Sequence, residues 1–472
     1  MVSFVSLGCP KNLVDSEKML GLLAEAGAVP TPDPRDADVI VINTCGFLEA
    51  SKRESLEAIA QAARLKTAKH PVRIVVAGCL ATRLGEEILD YVPQVDALVG
   101  VHQRDRIVEA VLGKDISHKA IKANSRETAK PAGPSLLLGP YQSRSKDALA
   151  NLVDTARLRL TPRHYAYLRV SDGCNRGCSF CTIPAIRGPL RSKPIAQIEA
   201  EAAELIADGA VELNLIGQDT TSYGRDFSSP ASKDNLASLL RRLDRLPGVQ
   251  WLRLLYAYPS DFGDDIIDAI ASCRHVLPYI DIPLQHINDR ILRLMKRRVT
   301  RSQTERLLAR LRRRIPGIVL RTTFISGFPG ETEAEHHELL DFIEHFGFDM
   351  LGVFSYSQEP GTPAGRMAGQ VPQPVRDARR AELMAAQQKI VLRRNAALVG
   401  TRTTALVDRR VRGGIFSART PGQAPEVDSV TLVKAGRGQG AVQPGQLLPV
   451  RVTGFRGYDL LAEPIGPASN TT

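Results

Sequence analysis

The sequence predicts an α/β protein of several domains: an N-terminal parallel α/β sheet, a central partial (β/α) barrel and a small C-terminal β-barrel. Two observations carry this prediction. Short runs of β-branched residues alternate with helical periodicity over residues 1–113 and again over about 164–355. After residue 400 the pattern changes to short Val, Leu and Thr runs separated by Gly and Pro, which is typical of a small β-barrel.

The N-terminal domain is predicted over residues 1–113. Its strands are expected at three apolar runs too short for buried helices, at 2–7, 39–43 and 72–77. Helical patterns follow these runs at 12–26, 49–63 and 84–89. Residues 114–160 have weak periodicity and several prolines, so we expect a linker there, with one helix near 146–157.

The central domain is predicted over residues 161–392. Its six strands are expected at 165–170, 211–216, 251–255, 279–282, 319–325 and 350–354. Six β/α units are fewer than the eight of a full barrel, so we expect an incomplete barrel, with an open doubly wound sheet as the alternative. A long helix is expected over 376–398. The C-terminal barrel is expected over 393–465, with strands at 404–407, 430–433, 447–452 and 458–462.

The composition is that of a folded protein, and the positive charge is unevenly distributed along the chain. The chain has 472 residues, of which 43% are hydrophobic and 24% charged, so overall disorder is excluded. No run approaches the roughly 18 apolar residues of a membrane helix, and no signal-peptide pattern is present, so we expect a cytoplasmic protein with no membrane association. The net charge of +11 concentrates in residues 114–163, 290–314 and 401–472, which carry +6, +10 and +4. RNA contact through these basic segments is one interpretation; for 290–314 the other is arginine-rich solvated helix faces.

Three of the seven cysteines lie close together, directly after the strand predicted at 165–170: Cys174, Cys178 and Cys181. Thiolates suit zinc and iron–sulfur clusters. A structural zinc site takes four ligands, whereas three thiolates on a four-iron cluster leave one iron open for catalysis. The position after the first strand of a (β/α) barrel favours the catalytic interpretation, because active-site loops follow the strand ends. A zinc knuckle with its fourth ligand elsewhere is the alternative.

Cys9, Cys45 and Cys79 are distant in sequence, but each follows the end of a predicted strand. Because the carboxyl ends of parallel strands share one edge of the sheet, we expect the three thiols to converge and hold a second cluster. Three separate buried cysteines are the alternative. Cys273 lies in an apolar helical pattern and is expected in the core.

The string Cys-x-x-x-Cys-x-Phe-Cys at 174–181 resembles the signature of radical S-adenosylmethionine (SAM) enzymes. In that superfamily the cluster binds SAM at its open iron and generates a 5′-deoxyadenosyl radical. Two cysteine triads on adjacent α/β domains, followed by a β-barrel, resemble the methylthiotransferase family over nearly the whole chain. That resemblance implies two 4Fe–4S clusters and a C-terminal TRAM barrel. It also implies two SAM molecules per turnover (methyl donor and radical source), an electron donor and a sulfur donor.

Two strings resemble one branch of that family, the branch that modifies the β-carbon of an aspartate in ribosomal protein uS12. They are SLGCPKNLVDSE at 6–17 and QDTTSYG at 218–224. The tRNA-modifying branch typically has Gln-Met-Asn after the first cysteine and tends toward Gln-Asn-Val in the second string. We therefore expect β-methylthiolation of uS12, free or in the small ribosomal subunit. The alternatives are a tRNA adenosine 2-methylthiotransferase, which the net charge and basic barrel favour, and a non-enzymatic zinc-dependent RNA-binding protein.

Polar residues near the strand ends of the central domain are candidates for the SAM site. Together with the aromatic residue of the cysteine loop, the predicted cofactor-binding residues are Phe180, Gln218, Asp219, Gln285 and Arg321. His286 and Glu331 are further candidates. For these two, a hydrogen bond at a helix entry and a charge near a helix N-terminus are the structural alternatives.

Overall fold

The computed structural model describes residues 1–112, 135–137, 152–228, 234–435 and 442–465. The chain forms two compact units. The first comprises Met1–Leu160, Asp172–Asn175 and Thr182–Arg191; the second comprises Thr161–Ser171, Arg176–Cys181 and Ser192–Thr472. Among the helices of the described ranges, none is long and apolar enough to cross a membrane.

The first unit is built on a five-stranded parallel sheet whose spatial order equals its chain order. The strands are β1 (Val2–Ser6), β2 (Val39–Thr44), β3 (Arg73–Gly78), β4 (Ala97–Gly100) and β5 (Ser135–Leu137). The helices are α1 (Pro10–Glu25), α2 (Glu49–Leu65), α3 (Cys79–Leu84), α4 (Glu87–Tyr91), α5 (Ile107–Leu112) and α6 (Ile183–Arg187). In the register, Val39 of β2 pairs with Val2 of β1 and with Arg73 of β3.

Both faces of this sheet are covered, which explains its unbroken apolar strands. Val39 and Val41 pack with residues of α1 and α5, whereas Ile40 and Ile42 pack with residues of α2, α3 and α4. Strands β4 and β5 escaped prediction because runs of four and three residues carry little periodic signal. Strand β5 lies in the segment expected to be a linker. Of the helix expected near 146–157, residues 146–151 lie outside the described residues and 152–157 are not helical.

The second unit contains a six-stranded parallel sheet, again in chain order. Its strands are β6 (Tyr165–Arg169), β9 (Glu212–Ile216), β10 (Trp251–Leu254), β11 (Val276–Asp281), β12 (Val319–Ser326) and β13 (Met350–Ser355); β7 (Ser171–Asp172) and β8 (Arg191–Ser192) are two-residue strands. The helices are α7 (Ile195–Ala207), α8 (Leu236–Leu243), α9 (Asp264–Ser272), α10 (Asp289–Leu294), α11 (Arg301–Arg314), α12 (Glu333–Phe346) and α13 (Gln373–Leu398). A doubly wound sheet would reverse its strand order, so the order here is that of an incomplete barrel.

The two faces of the six-stranded sheet differ in polarity. Leu168, Leu213, Leu252, Ile280 and Leu320 lie on one face and pack with helix residues in a single apolar core. The alternate residues of the same strands form the polar face, represented by Tyr167, Asn214, Arg253, Tyr279 and Arg321. Cys273, expected in the core, is instead the C-cap of α9 and is only partly buried, packing against the edge of the apolar core.

A closed five-stranded barrel follows α13 and confirms the predicted C-terminal fold. Its strands are β14 (Arg402–Arg412), β15 (Ile415–Arg419), β16 (Thr431–Lys434), β17 (Leu447–Arg456) and β18 (Asp459–Pro464), in the spatial order β14-β15-β16-β18-β17. Alternate residues such as Ala405, Val407 and Val450 fill the interior. Strand β15 was not predicted from the sequence. The α/β multidomain fold class, with its N-terminal sheet, partial barrel and C-terminal barrel, is confirmed.

Residues 419–428, the barrel loop, cover part of the polar face of the six-stranded sheet. Glu426 accepts hydrogen bonds from the hydroxyls of Tyr165 (2.9 Å) and Tyr167 (3.2 Å). Asp428 accepts from Tyr279 (2.7 Å) and from Nε of Arg321 (3.2 Å). The backbone of Glu426 has a φ of +66°, a conformation that non-glycine residues rarely adopt and that these buried contacts stabilise.

Candidate active site

Three cysteines of the first unit follow neighbouring strands of its sheet. Cys9 is the N-cap of α1 after β1, Cys45 directly follows β2, and Cys79 is the first residue of α3 after β3. The parallel register pairs Ser6 with Asn43 and Thr44 with Gly78, so the three strands end at the same edge. The structure therefore places the N-terminal triad, which is Cys9, Cys45 and Cys79, along one sheet edge.

Glycines let these three loops approach closely. A Cβ on Gly8 would lie 2.7 Å from Cβ of Cys45 and 3.1 Å from its Sγ, and the φ of Gly8 is +92°. A Cβ on Gly46 would lie 2.9 Å from Cα of Leu80. No larger residue fits at either position without displacing the chain next to a cysteine. The loops thus form a tight cradle around the N-terminal triad.

The thiols of this triad share an electrostatic environment with the guanidinium of Arg187. Burial raises the pKa of Cys79 to about 12, although Arg187 opposes it. Burial also raises the pKa of Cys45. Burial acts in the same direction on Cys9, but the charges of Lys11 and Arg187 outweigh it and the pKa of Cys9 is lowered. Repulsion from charge on Cys9 and on Cys45 also raises the pKa of Cys79.

Arg187 is a buried residue that no sequence pattern predicted to lie at this site. It ends α6, is 1% exposed, and donates from Nη2 to Sγ of Cys79 (3.5 Å). The same guanidinium donates to carboxylates of Asp15 (2.8 Å) and Asp172 (3.2 Å). Asp15 also accepts from Arg104 (3.0 Å). A buried cation with two carboxylate partners holds a fixed position, so Arg187 presents an N–H to the sulfur of Cys79.

The second triad lies in the loop after β6. In the first unit, Cys174 donates its N–H to the carbonyl of Gly188 (3.1 Å), beside Gly173, where a Cβ would lie 2.0 Å from the carbonyl oxygen of Pro189. In the second unit, the N–H of Cys181 donates to the carbonyl of Cys178 (3.2 Å). Backbone hydrogen bonds within each unit therefore fix both parts of this loop.

Residues between these cysteines anchor the loop to the second unit. Ser179 donates its N–H to the carbonyl of Met295 (3.0 Å) and its hydroxyl to that of Leu294 (2.7 Å). Phe180, predicted to bind the cofactor, packs edge to face against Phe328 with ring centroids 6.5 Å apart. The aromatic residue of the motif thus contributes to a small apolar cluster beside Cys178 and Cys181.

Two arginines sandwich Tyr258 beside Cys178. The guanidinium carbon of Arg176 lies 4.1 Å from the ring centroid, and that of Arg297 lies 4.0 Å from it. Arg297 donates from Nη1 to Sγ of Cys178 (3.8 Å) and from Nη2 to the carbonyl of Pro283. Arg297 was not predicted either, because it belongs to a basic segment with the pattern of a solvated surface. Each triad therefore has one cysteine whose sulfur accepts an N–H from a buried arginine.

The predicted cofactor residue Asp219 is held by several donors. Its carboxylate accepts from the hydroxyls of Thr221 (2.6 Å) and Ser222 (2.7 Å) and from Arg176. Gln218 precedes it in the turn after β9. Both residues follow the strand end, as expected of site residues in such a sheet.

Gln285 has an unusual backbone conformation beyond the end of β11. Its φ is +72°, and it bridges to β12 by donating to the carbonyl of Thr323 (2.8 Å) and accepting from the N–H of Ile325 (2.8 Å). Such conformations concentrate at functional sites. Arg321, by contrast, donates to two carboxylates, those of Asp281 (2.8 Å) and Asp428 (3.2 Å). Its contribution to a SAM pocket stays a prediction.

His286 and Glu331 take structural partners. Nδ1 of His286 accepts from the N–H of Asn288 (3.0 Å), the N-cap of α10, and burial lowers the pKa of His286 to about 3. Glu331 accepts from the N–H groups of Gly327 (2.9 Å) and Phe328 (3.2 Å) and from Arg379 (2.8 Å). The helix-entry alternative describes His286 well, whereas Glu331 stabilises a loop and pairs with α13.

The donor chemistry of both triads fits iron–sulfur clusters. Among the described residues, no group of three or more His, Cys, Asp or Glu side chains is arranged to hold a metal ion. A cluster binds each thiolate through a different iron, and thiolates are its usual protein ligands. Hydrogen bonds to cysteine sulfur, such as those from Arg187 and Arg297, are a known means of tuning such clusters.

Sequence comparisons match the three parts of the chain to three families. Residues 1–100 match the uncharacterized protein family UPF0004, residues 168–343 match the radical SAM superfamily, and residues 399–465 match the TRAM domain. A solved structure with a similar fold is the radical SAM methyltransferase TsrM from Kitasatospora setae. Its TM-score is 0.55 at 18% identity, covering 77% of this chain and 74% of that one.

Curated relatives extend over almost the full length. The relative from Symbiobacterium thermophilum is 44% identical over 99% of this chain and 91% of its own. Those from Pelotomaculum thermopropionicum (42%, 98% of this chain and 99% of the relative) and Syntrophotalea carbinolica (40%, 98% and 96%) are comparable. All three bear the name ribosomal protein uS12 methylthiotransferase RimO. With identity at this level along the whole chain, this protein is a member of the RimO family of radical SAM methylthiotransferases.

Proposed function

We propose that this chain attaches a methylthio group to the β-carbon of an aspartate in ribosomal protein uS12, consuming two SAM molecules per turnover. One observation carries the proposal: relatives with that name align with 97% or more of the chain at 40–44% identity. The methylthiotransferase strings at 6–17 and 218–224 support it from within the sequence.

Each triad would hold one 4Fe–4S cluster. Cys174, Cys178 and Cys181 are assigned to the catalytic cluster, and the N-terminal triad to the auxiliary cluster. When bound, the clusters and SAM supply the one-electron, radical and sulfur-transfer chemistry. The chain's own residues position the cysteine ligands and tune their sulfur atoms. Arg187 donates a hydrogen bond to Sγ of Cys79, and Arg297 donates one to Sγ of Cys178.

The walls of the SAM pocket are assigned to Phe180, Gln218, Asp219 and Gln285. Asp219 is oriented by Arg176 and two hydroxyls, and the bridge from Gln285 to β12 fixes its backbone. Phe180 and Phe328 exclude water from one side of the cysteine loop. A preorganised pocket of this kind needs little rearrangement when the cofactor binds.

The reaction needs partners that the chain does not contain. An electron donor must reduce the catalytic cluster, and a sulfur donor must replace the sulfur that leaves with each product. The acceptor is uS12, either free or within the small ribosomal subunit. Because the proposed acceptor is ribosomal, we infer that the reaction takes place in the cytoplasm.

Anaerobically reconstituted protein, incubated with isolated uS12, with small subunits and with tRNA in separate reactions, tests the proposal. We expect mass spectrometry to find a methylthio group on an aspartate of uS12 and none on tRNA. Product on tRNA alone would support the tRNA-modifying alternative. Zinc without acid-labile sulfide in the anaerobically purified protein would contradict both enzymatic functions.

A further inference from the structure

Most arginines of the basic segment 290–314 are of two kinds. One kind is neutralised by carboxylates: Arg290 pairs with Glu335, Arg301 with Glu305 and Glu338, Arg312 with Asp349, and Arg314 with Asp264 and Asp268. Pairs of this kind hold α10 and α11 against neighbouring helices and loops. The charge of this group is therefore explained by the fold.

The other kind lines a groove. Arg306, Arg310 and Arg313 lie on one face of α11, because their spacing of four and three residues follows the helical repeat. Arg298 comes from the turn that precedes the helix. The opposite wall contains Ser260 and Phe262, and the groove encloses about 520 Å³. Among the residues that the structure describes, no acidic side chain lines this arginine groove.

Three of these four guanidinium groups are available to a ligand. Arg298, Arg306 and Arg313 are exposed, and within the described part of the chain none forms an ion pair. Arg306 only contacts the hydroxyl of Ser302. Arg310 is partly engaged, donating to the carbonyl of Phe262 (2.7 Å) and lying 3.7 Å from Asp264.

Arg298, Arg306 and Arg313 repel one another as like charges and form no ion pair within the described residues, so folding does not explain why they cluster. Their cluster focuses a positive potential on the enclosed volume. Guanidinium groups bind phosphate bidentately, and their regular spacing along a helix suits a chain of phosphates. Phe262 and Leu307 also line the groove, but both are buried in the core, so the guanidinium groups are its main accessible chemistry.

We propose that the arginine groove binds the phosphodiester backbone of RNA. Resting on the proposed function, the RNA would be the ribosomal RNA that surrounds uS12 in the small subunit. The groove would then dock the protein on the particle through sequence-independent contacts, separate from the cysteine loop.

The test compares binding of 16S-type ribosomal RNA to the unsubstituted protein and to a triple variant, Arg298→Gln, Arg306→Gln and Arg313→Gln. We expect the triple variant to bind about tenfold or more weakly at 0.15 M salt. The slope of log K against log salt should fall by about 2 to 3, as expected for three lost phosphate contacts. A matched control replaces Arg245, Arg274 and Arg393, three exposed arginines outside the groove, with glutamine. Its affinity should stay within about twofold.

Equal losses in the two triple variants would reduce the effect to net charge and overturn the proposal, as would unchanged affinity in both. Displacement of bound RNA by polyglutamate at equal charge concentration would indicate that the groove binds acidic peptides instead. Methylthiolation of isolated uS12 by the unsubstituted protein is measured in parallel. Failure of that reaction would remove the proposed function while leaving the RNA-binding result in place.

Discussion

The two cysteine triads are assembled in opposite ways. The N-terminal triad collects residues from three strand ends, and Cys45 and Cys79 are buried. The triad of residues 174–181 comes from one loop, and all three of its cysteines are partly exposed. The first therefore depends on the whole sheet, whereas the second depends on local backbone contacts. The supporting arginines differ in the same sense: Arg187 has two buried carboxylate partners, and Arg297 has an aromatic ring and a carbonyl.

The largest expected difference lies in activity. Cys178→Ala should abolish SAM cleavage, because the catalytic cluster would lose a ligand. Cys45→Ala should retain SAM cleavage and stop sulfur insertion, because only the auxiliary cluster is affected. Deoxyadenosine and methylthio-aspartate are measured for both. Cys273→Ala, at a half-buried position beside the core, is the control and should keep both activities. Full thiolation by Cys45→Ala would contradict the two-cluster assignment.

Replacing each supporting arginine tests the difference between the two triads through the free energy of unfolding. Arg187→Met removes one of two cationic partners from each of Asp15 and Asp172, which keep Arg104 and Arg191, so we expect a loss of about 3 kcal/mol in the free energy of unfolding. Arg297→Met removes hydrogen bonds and a cation–π contact without orphaning a carboxylate, so about 1–2 kcal/mol is expected. Urea titration of the cluster-free proteins measures both. Equal losses would show that the carboxylates do not set the difference.

Acid should weaken both units through buried histidines. Burial lowers the pKa of His102, in the first unit, to about 4 and that of His286, in the second, to about 3. Both histidines stay neutral in the folded protein, whereas in the unfolded protein they bind a proton below about pH 6.5. The free energy of unfolding therefore decreases as the pH is lowered. The loss is about 1.4 kcal/mol per pH unit for each histidine, between about pH 6.5 and its folded pKa.

Urea midpoints at pH 7, 6 and 5 measure this dependence. His286→Asn should flatten the pH dependence by one proton while keeping a side-chain acceptor near the N–H of Asn288. The same slope in His286→Asn and in the unsubstituted protein would refute this role for His286.

The smallest expected effect concerns the reduction potential of the catalytic cluster. Arg297→Met removes a positive charge and an N–H donor from Cys178, so reduction of the cluster should become harder and its midpoint more negative. Electron paramagnetic resonance during a redox titration reports the midpoint, and iron content checks that the cluster is intact. Arg297→Lys should recover part of the shift. An unchanged midpoint would leave Arg297 with a packing role only.

Local patterns predicted most of the fold and the cysteine positions. Most strands were predicted, including β10 as part of a five-residue run, whereas β15 was missed and β4 and β5, with four and three residues, carry little periodic signal. The cysteine loop was predictable because its spacing is local, and the N-terminal triad because each member follows a strand. Arg187 and Arg297 could not be predicted, because only tertiary packing brings them to a sulfur. Likewise, the charges of 290–314 can be counted from the sequence, but only tertiary contacts distinguish the ion-paired arginines from those that line the groove.

The barrel loop ties the C-terminal barrel to the six-stranded sheet through buried polar contacts. Besides Glu426 and Asp428, it supplies the carbonyl of Pro421 to Arg253 (2.7 Å) and the guanidinium of Arg419 to Glu212. The barrel is therefore not an interchangeable module. In a chimera that exchanged the barrel between relatives, buried polar groups of the sheet would lose their partners unless the facing strand residues were exchanged too. Evolution of a new acceptor specificity in this family is accordingly expected to couple changes in both segments.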